Sequence, residues 1–402
     1  MRRLTVRTTI PLALLVVVGI TTADTGAAPA SAQPASAQPV TATRPISADS
    51  AAISSPKVVP GPQWQTVAPA AVGLDAAALD AIAATAQAGK SNCLVVVRHG
   101  KIAGEWNFHG TAPDATQDVF SVTKSLSSTL VGIAQDDGDL RIGDSASRWI
   151  REWRNTPAKA VTVRDLLSND SGREWSASID YNQLLRAADR TSFAIGLAQT
   201  QRPGQIWAYN NSAIQTLQRV LQKSTGQDVA AYATKRVFAP LGMAHTTMTR
   251  DLAGNAQMFE GMRSSCRDLA RFGLLMLNDG RWGRKRIVSS DWVARATEHS
   301  STQLNAGYGY LWWLNRYGVL AGPLTPRTRE QALDPATPRS RLVPGAPAQT
   351  FWAIGLGNQL IQVDPGTDTV VVRLGSAEFL PQPPTFGPAE ASKVVTTAVI
   401  GR

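Results

Sequence analysis

Histidine and cysteine are scarce in this sequence of 402 residues, which contains four histidines and two cysteines. It has neither a C-x-x-C nor an H-E-x-x-H motif, and its histidines are scattered without the spacing of metal ligands. We therefore expect no metal ion and no other cofactor. The two cysteines, Cys93 and Cys266, could pair in an oxidising compartment, but the sequence leaves open whether they come close enough for a disulfide.

Long apolar runs are also missing. The run from Ile10 to Ile20 is too short to span a bilayer, which needs about 20 residues, and no later stretch predicts a transmembrane helix. A basic N-terminus precedes this run and an A-x-A site follows it, which is the order of a secretory signal peptide. We predict a signal peptide over residues 1–32, cleaved near Ala32, and a secreted protein, with a membrane anchor as the alternative. Residues 33–57 are rich in Ala, Pro, Ser and Thr and predict a disordered linker.

Motifs of nucleic-acid binding are absent as well, since there is no zinc finger, no RNA-recognition motif and no long basic stripe. The densest cationic cluster, Arg281 to Arg286, contains a glycine and is typical of an exposed turn. We therefore predict no nucleic-acid partner. The chain is nevertheless basic, and removal of residues 1–32, with their three arginines and one aspartate, changes its net charge from +10 to +8. An exported protein with this charge is attracted to anionic wall polymers or membrane surfaces.

Strand patterns lie near both ends of the chain, and helical patterns lie between them. The predicted strands are Cys93–Arg98, Ile102–Phe108, Tyr308–Leu314, Phe351–Ile354, Gln359–Val363 and Thr369–Arg373. This order predicts an α+β fold, in which an antiparallel sheet built from both chain ends is flanked by helices and carries an inserted, mostly helical lobe. We place one domain at 58–402, with an α/β lobe at 58–150 and 300–402 and a helical lobe at 151–299. A proline-rich loop at 322–350 could cover the cleft between the lobes.

The sequence lacks a G-x-S-x-G elbow, which argues against a Ser-His-Asp hydrolase. It contains instead Ser121-Val122-Thr123-Lys124, followed by apolar residues at helical spacing. Residues i and i+3 share one helix face, so Lys124 can reach the Ser121 hydroxyl. A lysine that is partly desolvated has a lowered pKa and can accept the serine proton. The free N–H groups of a helix N-terminus also suit an oxyanion that forms at the serine.

Two further motifs carry candidate residues. In Trp207-Ala208-Tyr209-Asn210-Asn211, a tyrosine beside a cationic lysine could have a lowered pKa and shuttle a proton, and Asn211 could bind a substrate carbonyl and hold the lysine. In Trp352-Ala353-Ile354-Gly355-Leu356, a strand glycine allows close approach of a ligand or backbone. Each motif alone also fits a structural role, as a packed aromatic residue or a glycine-rich bulge. Three tryptophans could line the pocket or belong to the core: Trp207, Trp313 and Trp352.

In this order, the three motifs resemble the class C β-lactamase-like branch of the serine hydrolases, whose signature is S-x-x-K, then Y-x-N, then a K/H-x-G strand. The resemblance covers about residues 58 to 400 and implies a β-lactamase/transpeptidase-like fold. It implies that Ser121 is the acylated nucleophile and that Lys124 accepts its proton. Tyr209 would protonate the leaving group and later activate water, while Asn211 helps to position substrate and lysine.

The third motif implies that the N–H groups of Ser121 and Leu356, next to Gly355, form the oxyanion hole. It departs from the signature because Ala353 occupies the Lys or His position. A β-lactamase or DD-peptidase uses polar residues there to engage a substrate carboxylate, which alanine cannot do. The motif is most similar to that of the 6-aminohexanoate-dimer hydrolase and esterase branch. In that branch a second tyrosine can assist with amides, and Tyr181 is the candidate here.

These observations predict a secreted serine hydrolase that cleaves small carboxylic esters or short amides through an acyl-enzyme. One alternative is a D-amino-acid peptidase or weak β-lactamase that acts on wall fragments, which Ala353 disfavours. Another is a non-catalytic protein that binds wall peptides or β-lactams, which the intact Ser121, Lys124, Tyr209 and Asn211 disfavour. We expect the pH profile to follow the coupled Lys124–Tyr209 pair. The natural substrate and the oligomeric state stay open.

Overall fold

The computed structural model describes residues 58–377 and 385–401. The predicted signal peptide at 1–32 and linker at 33–57 lie outside the described residues. No helix in the described ranges combines the length and apolar character needed to cross a membrane.

The strands of the described residues are mostly short, apart from five near the two chain ends. They are β1 (Ser91–Arg98), β2 (Lys101–Asn107), β3 (Gln117–Asp118), β4 (Ile206–Trp207), β5 (Thr247–Met248), β6 (Met262–Ser264), β7 (Arg281–Trp282), β8 (Lys285–Arg286), β9 (Trp313–Leu314), β10 (Gly318–Val319), β11 (Arg327–Thr328), β12 (Arg339–Ser340), β13 (Phe351–Gly355), β14 (Gln359–Asp364) and β15 (Thr369–Gly375).

The α-helices are concentrated in the middle of the chain. They are α1 (Ala76–Ala88), α2 (Val122–Asp136), α3 (Val163–Ser168), α4 (Leu184–Arg186), α5 (Arg190–Gly196), α6 (Asn211–Gln215), α7 (Leu217–Thr225), α8 (Val229–Ala233), α9 (Ala239–Leu241), α10 (Cys266–Leu277), α11 (Ser290–Thr297), α12 (Arg329–Leu333) and α13 (Pro388–Thr396). Several 3-10 turns and two π-helical turns, Ile179–Gln183 and Thr234–Phe238, connect them.

One antiparallel sheet of six strands joins the two ends of the chain, in the order β2-β1-β15-β14-β13-β9. Its central strands β14 and β15 are buried throughout. The apolar run Val370–Val372 lies in β15, whereas β14 also buries Gln359, Gln362 and Asp364, each of which forms a side-chain hydrogen bond. Helices α1 and α13 pack on the sheet, and so do α2 and α10. The observed mixture of helices and an antiparallel sheet confirms the predicted α+β class.

Helix α10 lies very close to the sheet because it carries a glycine where it crosses two strands. A Cβ atom at Gly273 would lie 2.6 Å from Val370 Cγ1 and 2.9 Å from Ile361 Cγ2. The same helix is bonded to β1 by a disulfide between Cys93 and Cys266, whose Cα atoms are 6.4 Å apart. The pairing that the sequence left open is therefore present, and it connects residues 173 positions apart.

Two sequence-based expectations need correction. The segment 322–350 is not a structureless loop, because it contains β11, α12 and β12, and β11 pairs with β4. The side-chain amide of Asn315 also donates hydrogen bonds to three main-chain carbonyls of this segment, those of Val343, Ala346 and Pro347. The predicted strand Tyr308–Leu314 is reduced to β9, because Leu311 has a φ of +60°, a left-handed conformation that interrupts an extended chain.

Candidate active site

Ser121 lies at the N-terminus of α2, half-buried, at a turn that the backbone makes under strain. The preceding residue, Phe120, has a φ of +47°, which is uncommon for a residue with a bulky side chain. Thr123 holds this turn, because its hydroxyl donates to Phe120 O (2.6 Å) and accepts from Met262 N–H (2.9 Å) on β6. The strained turn and the hydrogen bond between Thr123 and β6 together determine the position of the serine hydroxyl.

Lys124 reaches Ser121 as the i, i+3 spacing predicts. Its Nζ lies 2.6 Å from Ser121 Oγ and 3.1 Å from Phe259 O, and 4.5 Å from the centre of the Tyr209 ring. Only 1% of the residue is exposed. The amine is thus enclosed, with its nearest polar contact on the serine hydroxyl.

The pKa of Lys124 falls from 10.5 to about 7, chiefly because burial removes the ammonium group from water. The carboxylates of Glu260 and Asp180 act in the opposite direction and raise it. Glu260 is itself paired with Arg190, at 2.6 Å, which reduces its effect. About half of the Lys124 side chains are therefore neutral at pH 7, and a neutral amine can accept the serine proton.

Tyr209 is buried in a cluster of aromatic rings. Trp313 stacks on it with ring centres 5.6 Å apart, and Tyr308 meets it edge-on at 6.0 Å. Burial raises the pKa of Tyr209, and its hydrogen bond with Ser121 offsets only part of that rise. The predicted lowering of this pKa was wrong, because the cost of burying a phenolate exceeds the effect of the hydrogen bonds that lower the pKa. Tyr209 is therefore a proton donor at neutral pH.

Asp180 fixes the start of α6, which carries Asn211. Its carboxylate accepts from the N–H of Asn211 (2.5 Å) and from both the N–H (3.1 Å) and the hydroxyl (2.6 Å) of Ser212. Burial raises the pKa of Asp180 to about 6, although these hydrogen bonds and Lys124 lower it. Asp180 is thus ionised at pH 7, and it is fully buried.

The side chain of Asn211 does not hold the lysine. Its Oδ1 is buried without a hydrogen-bond partner, and the amide interacts with the hydroxyl of Tyr181. Tyr181 is 42% exposed, yet its pKa is raised, mainly by burial of the hydroxyl and also by Tyr209 and Asp180. The structure therefore brings Tyr181 to the same site and leaves the Oδ1 of Asn211 free for another donor.

Strand β13 runs against the serine. A Cβ atom at Gly355 would lie 2.2 Å from Val119 O and 3.2 Å from Ser121 N, so only glycine allows this approach. Leu356 follows it and is 38% exposed. Ala353 precedes Gly355 by two residues, so the two residues share one face of the strand, and Ala353 is buried. The strand thus presents a small apolar side chain at this position.

Trp352 does not line the cleft. It is fully buried, and its Nε1 donates to Gln362 Oε1 (2.8 Å), which also accepts from Ser392 on α13 (2.9 Å). Neighbouring residues of a strand point to opposite faces, so Trp352 faces α13 while Gly355 faces Ser121. Trp207 is also fully buried, and Trp313 packs against Tyr209.

Three residues of the site have no counterpart in the sequence motifs: Phe259, Glu260 and Asp180. Phe259 and Glu260 lie in a loop more than a hundred residues after the serine, and no local sequence pattern predicts that they belong to the site. Asp180 adjoins Tyr181, so only the interest in that tyrosine could have drawn attention to it. Within residues 58–377 and 385–401, no three His, Cys, Asp or Glu side chains are grouped to hold a metal ion.

Comparison with known proteins agrees with this geometry. A family model described as Beta-lactamase matches residues 79–391. The 6-aminohexanoate-dimer hydrolase of Paenarthrobacter ureafaciens is 24% identical over 319 residues, which cover 71% of this chain and 72% of that protein.

Solved structures share the fold. A candidate β-lactamase from Bacteroides dorei DSM 17855 aligns with a TM-score of 0.63 and 20% identity, over 81% of this chain and 99% of its own. A β-lactamase from Mycobacterium bovis aligns with a TM-score of 0.56 and 19% identity, over 80% of this chain and 100% of its own.

Proposed function

Because the chain belongs to the Beta-lactamase family and is a serine hydrolase of the acyl-enzyme type, we propose that it is an exported enzyme that cleaves uncharged carboxylic esters and short amides. The observation that carries the proposal is the contact of 2.6 Å between Lys124 Nζ and Ser121 Oγ, together with the lowered pKa of the lysine.

In the proposed acylation step, Ser121 Oγ attacks the substrate carbonyl carbon while its proton passes to the neutral amine of Lys124. The N–H groups of Ser121 and Leu356 stabilise the oxyanion. Tyr209 donates its proton to the leaving alkoxide or amine and takes up the proton that Lys124 received from Ser121, so both groups return to their neutral forms. Water then hydrolyses the acyl-enzyme, with the same groups acting in reverse.

The preference for uncharged substrates rests on strand β13. Where the related signature has Lys or His, the buried side chain of Ala353 offers no cation and no hydrogen-bond donor to a substrate carboxylate. A peptidase or β-lactamase that relied on such a contact would lose it here. An ester or amide without a carboxylate loses nothing, which favours this substrate class.

The amide part of this proposal is favoured by Tyr181. The similar protein from Paenarthrobacter ureafaciens is named as a hydrolase of the 6-aminohexanoate dimer. The hydroxyl of Tyr181, with its interaction with Asn211 and its raised pKa, can donate a hydrogen bond to an amide leaving group. We expect Tyr181→Phe to lower amide hydrolysis about tenfold and to leave ester hydrolysis unchanged. An equal loss on both substrates would contradict this role.

Export is supported by the disulfide, because disulfides persist mainly in oxidising compartments. The predicted cleavage near Ala32 is tested by the mass of the protein recovered outside the cells. A protein that retains residues 1–32 and stays within the cells would contradict it.

The central experiment compares hydrolysis of a short p-nitrophenyl ester by the full chain and by Ser121→Ala. We expect activity to be lost in this variant and retained in Ser128→Ala, a matched control in the same helix whose buried hydroxyl has no partner. Activity that survives in Ser121→Ala would refute the proposal. Activity on D-Ala-D-Ala peptides or β-lactams, without any on esters, would favour the peptidase or β-lactamase alternative.

A further inference from the structure

A groove of about 440 Å³ lies between two 3-10 turns and helix α7, apart from the residues around Ser121. The turns are Ala146–Arg148 and Arg151–Trp153. Positive charge dominates the residues that line the groove, which are Arg148, Trp149, Arg151, Glu152, Arg154, Arg219 and Lys223.

The spacing of these cations explains why they face one another. A 3-10 helix has three residues per turn, so Arg151 and Arg154, at the start and the end of the second turn, share one face. Arg148 ends the first turn, and the extended Ile150 separates the two turns. The opposite side is buried, with Ile150 and Trp153 as its apolar anchors. On α7, Arg219 and Lys223 are four residues apart and share one face in the same way. Two rows of cations therefore form the two walls.

Acidic partners neutralise only part of this charge. Arg148 pairs with Asp144 at 3.0 Å, and Arg219 pairs with Glu152 at 3.4 Å. Among the described residues, the partners of the Arg154 guanidinium are two main-chain carbonyls, those of Ser147 and Arg148.

The remaining two cations of the groove, Arg151 and Lys223, are exposed and form no ion pair with any residue at 58–377 or 385–401. On α7, Arg219 and Lys223 are like charges at i, i+4 and repel each other. An anion in the groove would relieve that repulsion.

We propose that this groove binds the phosphate groups of an oligoanionic ligand. Four of its five cations are arginines, whose planar guanidinium can donate two parallel hydrogen bonds to one phosphate. The guanidinium of Arg148 lies 5.4 Å from the centre of the Trp149 ring, and this cation–π contact restricts its movement. The two walls can contact neighbouring phosphates, which favours a ligand with several over a single ion. Such a ligand is either a soluble polyphosphate or a cluster of anionic lipid headgroups.

The test measures binding of sodium tripolyphosphate by calorimetry and binding to vesicles that contain phosphatidylglycerol by flotation, with phosphatidylcholine vesicles as the reference. The variant Arg148→Gln/Arg151→Gln/Lys223→Gln removes three charges from the groove. The matched control Arg284→Gln/Lys285→Gln/Arg286→Gln removes three charges from the exposed β7–β8 hairpin. Thermal unfolding and ester hydrolysis establish that both variants are folded.

We expect the groove variant to lose roughly tenfold or more in affinity, and the hairpin variant to bind as the wild type does. Loss of tripolyphosphate binding identifies a soluble source, and loss of binding to phosphatidylglycerol vesicles alone identifies a lipid source. Equal losses in the two variants would mean that only net charge matters and would overturn the proposal, as would no binding by the wild type at 0.15 M salt. These outcomes do not depend on the reaction at Ser121.

Discussion

The lowered pKa of Lys124 predicts how hydrolysis depends on pH. Burial lowers it from 10.5 to about 7, which corresponds to about 5 kcal/mol of destabilisation of the charged amine. About half of the enzyme then has a neutral lysine at pH 7, whereas an unperturbed lysine would be neutral in roughly 0.03% of molecules. The lowered pKa therefore increases the fraction of neutral lysine at pH 7 on the order of 10³-fold.

The sign of the pH dependence follows from this pKa. The neutral amine is the base, so kcat/KM for a p-nitrophenyl ester should fall about tenfold for each pH unit below 7 and level off above pH 8. Tyr209 adds no descending limb up to pH 9, because its pKa is raised. The two motifs predict a coupled titration of Lys124 and Tyr209, but the structure moves the two pKa values apart, so the acid limb belongs to Lys124.

Asp180 acts on Lys124 and also titrates near this range, since its pKa is raised to about 6. Burial raises the pKa of Asp170 to about 7 as well, but Asp170 is not among the charges that act on Lys124. The variant Asp180→Asn tests whether the acid limb of the pH profile belongs to Lys124 or to Asp180. Removal of a negative charge that raises the pKa of Lys124 should move the acid limb to lower pH, by about one pH unit or less. If Asp180 itself caused the limb, the limb would disappear.

The measured quantity is the midpoint of the limb, which does not depend on how much the plateau falls when the hydrogen bonds to Asn211 and Ser212 change. Glu260→Gln, which removes the other carboxylate near Lys124, should shift the midpoint in the same direction. A limb with its midpoint near pH 10, or one that moves to higher pH in both variants, would refute the reasoning.

Three further predictions concern packing and stability. In Gly355→Ala, the new Cβ would clash with Val119 O at 2.2 Å, so kcat should fall about a hundredfold; a fall of less than twofold would show that the strand can move away. Replacement of both Cys93 and Cys266 by alanine should lower the unfolding free energy by up to about 5 kcal/mol, because the bond closes a loop of 173 positions; thermal unfolding that matches the wild type would contradict this. Trp352→Phe should leave kcat/KM within about twofold and lower the Tm, because Trp352 lies in the core; a large loss of activity without a loss of stability would return it to the cleft.

The parts of the fold that the sequence predicts are those governed by local periodicity. The strands at both chain ends were predicted from short segments rich in β-branched and other apolar residues, and they do form one antiparallel sheet. The expected helix start near Ser121 is also present at α2. The segment 322–350 was harder to predict, because its short strands exist only through pairing with distant partners, such as β11 with β4. Nothing in the local composition reveals such pairs.

In the candidate site, too, local contacts were predictable from the sequence and long-range contacts were not. The S-x-x-K spacing predicts the contact between Lys124 and Ser121, because it depends on one turn of one helix. The contributions of Glu260 and Asp180 depend on where separate segments meet in space, and no spacing predicts them. The sequence left open whether Trp352 lines the pocket or belongs to the core. The structure shows it in the core, on the face of β13 opposite to Gly355.

The same physical effect gives Lys124 and Tyr209 opposite tasks. Burial disfavours charge, so it lowers the pKa of an amine and raises that of a phenol. The amine becomes a base at neutral pH, and the phenol remains an acid. Burial alone would also oppose the lysine cation that forms when the serine proton is transferred. The carboxylates of Glu260 and Asp180 stabilise that cation, which keeps the pKa of the base near the pH at which general-base catalysis is most effective.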